Sequence, residues 1–213
     1  MKRSSVFAVL IGVFCISASA QDKKKLVKFC NITEVTLGFQ LGKTAQVNSI
    51  AGVENELNVA GFKVPSPRIA SSFGMLVGDI FFLGPGLGYL YQAADDDNPY
   101  QHHISVFGHA RINFAKGKLR PFVGLRGGYN HILPENVLSI YDSETYTWDG
   151  AFAEPAIGLG IKLGGHAQLN ASLGYQFMNV WNRSKGLSSA EAFGPELKEN
   201  YHRLLLTVGF TFY

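Results

Sequence analysis

The sequence predicts an all-β protein: a closed, antiparallel, up-and-down transmembrane β-barrel of about eight strands, or about ten, after a cleaved signal peptide. Three observations support this fold class. Segments with a period of two carry large apolar residues on one face and Gly or polar residues on the other. The links between these segments are alternately short and long. The chain also has 24 Gly residues, and many of them lie inside the alternating segments rather than in the links.

The first 20 residues have the pattern of a secretory signal peptide. Two basic residues precede an apolar stretch, and the small residues "ASA" follow it as a cleavage site. The apolar stretch is too short to cross a bilayer as a helix. We therefore predict a signal peptide over residues 1–20, a periplasmic lead-in over residues 21–32 and the barrel over residues 33–213.

The charge and the cysteines of the mature chain exclude several classes of function. Cleavage leaves 17 of the 19 Lys and Arg residues against 16 Asp and Glu, and no basic stripe with interleaved aromatic residues is present. Nucleic acid is therefore not a predicted partner. Cys30 would be the single cysteine after cleavage, so we expect no intramolecular disulfide and a small apolar filler at this position. No cofactor is predicted.

Eight segments of the chain fit the alternating template. In the amino-terminal half they are "TEVTLGFQL", "IASSFGMLVG" and "IFFLGPGLGYLYQ". In the carboxy-terminal half they are "ISVFGHARINF", "PFVGLRGGYN", "EPAIGLGIKL", "QLNASLGYQFM" and "LLLTVGFTFY". The irregular stretch over residues 42–68 leaves room for two additional strands, which is the origin of the alternative of about ten.

The Gly-rich polar face is predicted to line the lumen, because an eight-stranded barrel is only just wide enough inside for side chains. The apolar face then points outward, into lipid. The polar and charged residues expected in the lumen are Glu34, His109, Arg111, Arg126, Asn130, Glu154, Lys162, Gln176 and Arg203. An unpaired buried charge is costly, so we expect these charges to be paired, with a contact of Glu154 and Arg203 as one geometric option.

The links and the aromatic residues indicate how the barrel is oriented. Short links such as "GGH" alternate with long polar links such as "HILPENVLSIYDSETYTWDG", as periplasmic turns and extracellular loops do in outer-membrane barrels. Aromatic residues near both ends of the segments predict the two interfacial girdles, although strands are enriched in aromatic residues in general. The girdle residues are Tyr89, Tyr91, Tyr129, Tyr175 and Phe177 at the long-loop ends and Phe81, Phe114, Phe212 and Tyr213 at the short-turn ends.

The mature chain resembles the small outer-membrane β-barrel proteins of Gram-negative bacteria, particularly the outer membrane protein beta-barrel domain type that is common in Bacteroidota. The likeness lies in the signal peptide, in "FFLGPGLGYLYQ", in "ARINF" leading through "KGKLRPFVGLRGGY", and in the terminal aromatic strand. It implies that Phe210, Phe212 and Tyr213 form the signal read by the barrel-assembly machinery, although the family often ends in Phe. The resemblance identifies an architecture and leaves the activity open.

The favoured function is a non-enzymatic barrel with a plugged polar lumen, which acts structurally or through its long extracellular loops. Its expected partners are outer-membrane lipid, lipopolysaccharide, the assembly machinery and an unknown extracellular molecule. Asp95, Asp96 and Asp97 could bind a divalent cation that bridges lipopolysaccharide, although a solvated loop tip is the ordinary account. His102 and His103 point to opposite faces of one strand, so they do not predict a metal site.

Three other functions stay open at this point. A narrow anion-preferring channel would use Arg111, Arg126, Lys162 and Arg203 as its lining. An enzyme that modifies outer-leaflet lipid would assemble His103 and Ser105 with Glu154. A soluble periplasmic ligand-binding barrel would require the two faces to be reversed, with the charges outside.

Overall fold

The computed structural model describes residues 27–48, 54–59, 65–92, 101–133, 145–185 and 196–213. The predicted signal peptide and the acidic run of Asp95, Asp96 and Asp97 lie outside these residues. Nine strands are present in the described part of the chain: β1 (Val27–Asn48), β2 (Glu54–Val59), β3 (Ser66–Val77), β4 (Phe81–Gln92), β5 (Gln101–Asn113), β6 (Leu119–Leu133), β7 (Thr145–Lys162), β8 (Ala167–Lys185) and β9 (Glu196–Phe212). Across these same residues there is no helix with the length and apolar character needed to cross a membrane.

The strands form one closed antiparallel barrel. From β3 to β9 each strand pairs with the next one along the chain, and β1 closes the barrel by pairing with both β3 and β9. The lower part of β1 pairs with β3, and its upper part, from Lys43, pairs with β2. Because β2 and β3 pair one above the other with the same side of β1, they count as one position in the wall. The barrel therefore has eight strand positions around its circumference, which we call staves. The alternative of about ten strands is therefore wrong. The irregular stretch contributes β2, which makes the barrel taller at one position but adds no strand to its circumference.

The barrel begins earlier than the sequence analysis placed it. β1 starts at Val27, which pairs with Val77 at the end of β3. Residues 27–32, assigned above to the periplasmic lead-in, thus belong to the first strand. The alternation continues through them: Phe29 points outward and is 79% exposed, whereas Cys30 and Ile32 are buried inside.

The outer face of the barrel is a continuous apolar belt. Large apolar side chains alternate with buried inward residues along β1 and along each strand from β3 to β9, and they are about half exposed. Representative members of the belt are Leu37, Leu83, Leu87, Val106, Leu125, Ile157 and Val208. Water does not tolerate apolar surface on this scale, but a bilayer requires it. Because the charges are inside, the soluble ligand-binding barrel is excluded.

The β3–β4 hairpin shows the tight turns at the short-link end. Gly78 and Asp79 both have positive φ, 60° and 62°, and the amide of Ile80 donates to the carbonyl oxygen of Val77 at 3.0 Å. This is a two-residue turn of the type whose twist matches that of the flanking strands. Gly has no Cβ to oppose a positive φ, and Asp is one of the few other residues that tolerate it.

Inward-facing glycines make room for aromatic rings in the lumen. Phe122 of β6 points inward and lies against Gly158 of the neighbouring strand β7. A Cβ on Gly158 would overlap both the Phe122 ring and the carbonyl oxygen of Ala171. The glycine content of the strands is thus a packing requirement of a narrow interior.

We expect Gly158→Ala to lower the free energy of unfolding by about 1–3 kcal/mol, because the added methyl group overpacks the lumen. The measurement is urea-induced unfolding of the protein refolded in detergent micelles. Gly165→Ala is the matched control, since no heavy atom lies within 4 Å of the position of its added Cβ. Equal stability of both variants would contradict the packing role of Gly158.

Candidate functional site

Four charged residues from four staves meet in the middle of the lumen and form what we call the central ion cluster: Glu34 (β1), Arg68 (β3), Arg126 (β6) and Glu154 (β7). Both terminal nitrogens of Arg68 donate to the Glu154 carboxylate, with Nη2 to Oε2 at 2.8 Å. Arg126 pairs with Glu34, and its Nη1 lies 3.6 Å from Oε2 of Glu154. Glu154 is 2% exposed. Such burial is tolerable only because each charge has an opposite partner.

The cluster is extended toward the long-loop end by amide side chains. Gln176 Nε2 donates to Glu154 Oε1 at 2.5 Å, and Arg203 Nη1 donates to Gln176 Oε1 at 3.1 Å. Arg203 Nη2 then reaches across the lumen from β9 to Oε1 of Gln92 on β4, at 2.5 Å. Glu154 and Arg203 are therefore connected through Gln176, and the direct contact considered above is replaced by this bridge because Arg68 and Arg126 already occupy the carboxylate.

A second polar network fills the short-turn end around Arg111. Its Nη2 donates to Asn170 Oδ1 at 2.9 Å and its Nε donates to Asn113 Oδ1 at 3.1 Å. The guanidinium also lies 3.5 Å from the centroid of the Phe122 ring. The charge of Arg111 is thus balanced by amide oxygens and an aromatic face, a combination that stabilises a buried guanidinium.

Tyr213 belongs to this network and not to the outer girdle. Its hydroxyl donates to Gln168 Oε1 at 2.6 Å and accepts from Nη1 of Arg120 at 3.3 Å. Its ring packs against an apolar group inside the barrel that includes Leu76 and Phe82. The girdle assignment of Tyr213 is wrong because residue 213 shares its parity with the inward-facing residues of β9.

Asp79 connects the tight turn to the cations at the same end. Lys28 Nζ donates to its Oδ1 at 2.7 Å, and Arg120 lies 3.8 Å from its Oδ2. Partial burial raises the pKa of Asp79, but the Lys28 hydrogen bond and the charges of Lys28, Arg120 and Lys162 outweigh burial and hold the pKa below its usual value.

Apolar side chains fill the lumen above and below the central ion cluster. The upper group consists of Ala70, Phe107, Phe152, Met178, Val180 and Tyr201. The lower group consists of Cys30, Ile32, Leu76 and Phe82. Both groups point inward and are at most 5% exposed. The interior is thus layered: apolar groups lie on either side of the central ion cluster, and the lower group packs beside the polar network of Arg111 at the short-turn end.

The architecture is found in solved outer-membrane proteins. Neisserial surface protein A is 15% identical to the chain with a TM-score of 0.50, and the match covers 88% of this chain and 99% of that one. OprG from Pseudomonas aeruginosa is 12% identical with a TM-score of 0.58, covering 86% and 94%. The protein has the fold of the small outer-membrane β-barrels. No protein-family model and no curated protein matches the sequence.

The fold and the apolar belt together identify the protein as an integral protein of the bacterial outer membrane. The resemblance inferred from the sequence is confirmed at the level of architecture. The narrower likeness to the Bacteroidota type stays a prediction. Short turns lie at one end of the barrel and long links at the other, so the long-link end is the extracellular one.

The other lumen residues predicted from the sequence lie as follows. His109 is buried with its Nδ1 3.0 Å from the hydroxyl of Ser72, and Asn130 donates to Sδ of Met178 at 2.8 Å. Lys162 is only partly buried, at the periplasmic end of β7. The functional role of the whole lumen set stays a prediction.

The girdle residues, Tyr213 apart, lie on the outer face. Phe81, Tyr89, Phe114, Tyr129, Tyr175 and Phe177 are exposed there, and Tyr91 and Phe212 are half-buried. Phe210 is exposed and stacks with Phe212, at 6.2 Å between ring centroids. The role of these two residues in assembly stays a prediction.

The residues considered for catalysis are not joined to one another by hydrogen bonds in the described residues. His103 and Ser105 are 1% and 2% exposed, and within the described part of the barrel their side-chain polar atoms have no hydrogen-bond partner. Glu154 is already engaged by two arginines and Gln176. Among the residues that the structure describes, no three His, Cys, Asp or Glu side chains are grouped so that they could hold a metal ion.

Sequence reasoning missed Arg68 and Arg120, which are central to the two networks. Arg68 lies one residue before the segment "IASSFGMLVG", and Arg120 lies one residue before the segment "PFVGLRGGYN". Extending each alternation by one residue would have found both, because Arg68 shares its face with Ala70 and Arg120 shares its face with Phe122.

We expect Glu154→Gln to reduce the free energy of unfolding by about 3–5 kcal/mol. The substitution leaves Arg68 without a buried counter-charge and removes one of the two carboxylates that face Arg126. The measurement is unfolding in urea from detergent micelles. Lys162→Gln is the control, since this partly buried residue lies outside the cluster. A loss no larger for Glu154→Gln than for the control would show that the cluster adds nothing to stability.

The lowered pKa of Asp79 gives the barrel one acid-sensitive contact. A carboxyl group with a lower pKa in the folded state stabilises the fold above its unfolded pKa of about 3.9, and this stabilisation is lost as the pH falls through the folded value. Asp79→Asn keeps a residue that tolerates positive φ but removes the charge. We expect wild type to be more stable than this variant at pH 7 and the difference to vanish in acid, as measured by urea unfolding across pH. A difference that did not change with pH would exclude the ionic contact.

Proposed function

We propose that the protein is a non-enzymatic outer-membrane barrel whose lumen is plugged, and that it acts as a structural element or through its extracellular loops. The observation that supports this function is the central ion cluster, in which both terminal nitrogens of Arg68 bind Glu154 across the lumen. Apolar side chains above and below add two further layers. An ion would have to separate these groups in order to pass.

The anion-preferring channel is the alternative that this arrangement disfavours. Of its proposed lining residues, Arg126 binds two carboxylates, Arg111 binds amide oxygens and Arg203 binds Gln92 and Gln176. An anion moving through the lumen would have to replace these ligands one after another. Guanidinium groups already held in this way offer a poor path for ions.

The partners we propose follow from the outer surface and the loops. The exposed belt is suited to outer-membrane lipid, including lipopolysaccharide in the outer leaflet. Phe210 and Phe212, on the outer face of the last strand, are suited to recognition by the barrel-assembly machinery, together with Tyr213. An extracellular partner would bind the long loops, and the proposed function requires no cofactor and no nucleic acid.

The test is ion conductance of the refolded protein in planar bilayers whose vesicles are known to contain it. We expect wild type to give no steps above the bilayer baseline. The double variant Arg68→Ala with Glu154→Ala removes one ion pair as a unit, and it should give small steps through the opened gap. Val106→Ala, on the lipid-facing side of β5, is the control and should be silent.

Steady anion-selective steps from wild type would overturn the plugged lumen and favour the channel. Silence of the double variant, in samples shown to be folded by their resistance to unfolding in detergent, would mean that the apolar layers close the lumen without help from the ions.

A further inference from the structure

A cluster of three rings lies on the outer face where β4 and β5 meet near their extracellular ends. The His102 ring lies 5.9 Å from the ring of Tyr89 and 5.3 Å from that of Tyr91, measured between centroids. The Tyr89 oxygen is 2.5 Å from Nδ1 of His102. His102 pairs with Tyr91 in the sheet, so the hydrogen bond runs diagonally to the lower tyrosine.

The same cluster occurs a second time where β8 and β9 meet. The His202 ring lies 6.0 Å from the ring of Tyr175 and 5.4 Å from that of Phe177. The Tyr175 oxygen is 2.5 Å from Nδ1 of His202, which pairs with Phe177 in the sheet. The strand pairs β4–β5 and β8–β9 are four staves apart in a barrel of eight, so the two clusters lie on opposite sides.

Both clusters lie directly above the apolar belt. Below His102 on the outer face of β5 come Ile104 and Val106, and below His202 on β9 come Leu206 and Val208, which are exposed. Tyrosine at the top of such a belt lies at the level of the lipid headgroups. Each histidine is therefore placed at the headgroups of the outer leaflet, given the orientation derived above.

The hydrogen bond determines which histidine nitrogen carries the proton. A phenol is the better donor and an imidazole nitrogen the better acceptor, so the tyrosine hydroxyl donates to Nδ1. The proton of the neutral ring is then on Nε2, which becomes a donor. A tyrosine below and an aromatic ring beside each histidine thus orient one N–H group at the depth where lipids carry phosphate.

We propose that each three-ring cluster binds the phosphate of an outer-leaflet glycolipid: the Nε2–H group of His102 or His202 donates to a phosphate oxygen, and the flanking rings pack against the lipid beside it. Hydrogen bonds to an anionic oxygen are stronger than neutral ones. The inference extends the lipid partner named under Proposed function to two defined sites, and it does not depend on the state of the lumen.

A third outer-face histidine provides a natural control. His131 of β6 lies at the same end of the barrel, but its Nδ1 is 2.5 Å from the Asp149 carboxylate of β7. This carboxylate opposes an anionic ligand, and as an acceptor it keeps the proton of the neutral ring on Nδ1. We therefore expect no phosphate site at His131, and the described part of the barrel offers two such sites.

The experiment counts bound lipid on the refolded mature protein by native mass spectrometry, with monophosphorylated lipid A as the probe. We expect two retained lipids for wild type and one for either His102→Ala or His202→Ala. The double variant should retain none, and His131→Ala should retain two. Tyr89→Phe keeps the ring but no longer fixes the proton, so it should weaken the site at His102 about tenfold.

Two comparisons identify the ligand and two outcomes would overturn the proposal. Dephosphorylated lipid A should not be retained, and excess inorganic phosphate should not displace the lipid, because the rings hold the glycolipid as well as its phosphate. Equal retention by wild type and the double variant, or equal retention of the dephosphorylated lipid, would overturn the two sites. Conductance of the same samples reports separately on the plugged lumen, so failure of one proposal is distinguishable from failure of the other.

Discussion

Closure of the sheet between β1 and β9 is the constraint on which the rest of the structure depends. In hydrocarbon no water is available for an unpaired strand edge, so every backbone N–H and C=O at membrane depth must find a partner in the wall. Eight staves satisfy this requirement, but they enclose a very narrow space. The glycine beneath the Phe122 ring and the inward turn of Tyr213 are both consequences of this space.

A narrow closed lumen also explains why its charges are arranged as they are. Glu154 can be ionised in this interior because two guanidinium groups and an amide surround it. The five buried arginines of the described lumen outnumber the two buried glutamates. The arginines without a glutamate partner are therefore stabilised by other groups, such as amide oxygens and aromatic faces. The charged residues of the interior are thus stabilised by directional hydrogen bonds and ion pairs, whereas the apolar outer face is stabilised by contact with lipid.

Much of the fold was predictable because a period of two is a local property of the chain. The alternation assigned the inward and outward faces of all eight segments correctly, apart from the girdle assignment of Tyr213, and it predicted the interior position of Glu154 and Arg126. The partners of these residues were not predictable, because Arg68 meets Glu154 across a separation of 86 residues. Its distance from Glu154 depends on stagger and on side-chain length, which a single sequence does not specify. The two three-ring clusters could not be predicted either, since each depends on the register between two neighbouring strands.

The long β1 strand has a consequence for the rim of the barrel. Its upper part, from Lys43 to Asn48, has β9 on one side and β2 on the other, so the wall continues beyond the level at which β3 ends. Within the described residues, β2 pairs only with β1, and its other edge lies above the bilayer, where water can satisfy the backbone. Closure is obligatory in lipid and optional above it. The rim is therefore uneven: on one side the sheet continues upward through β7, β8, β9, β1 and β2, and the outer edge of β2 is open to the extracellular medium.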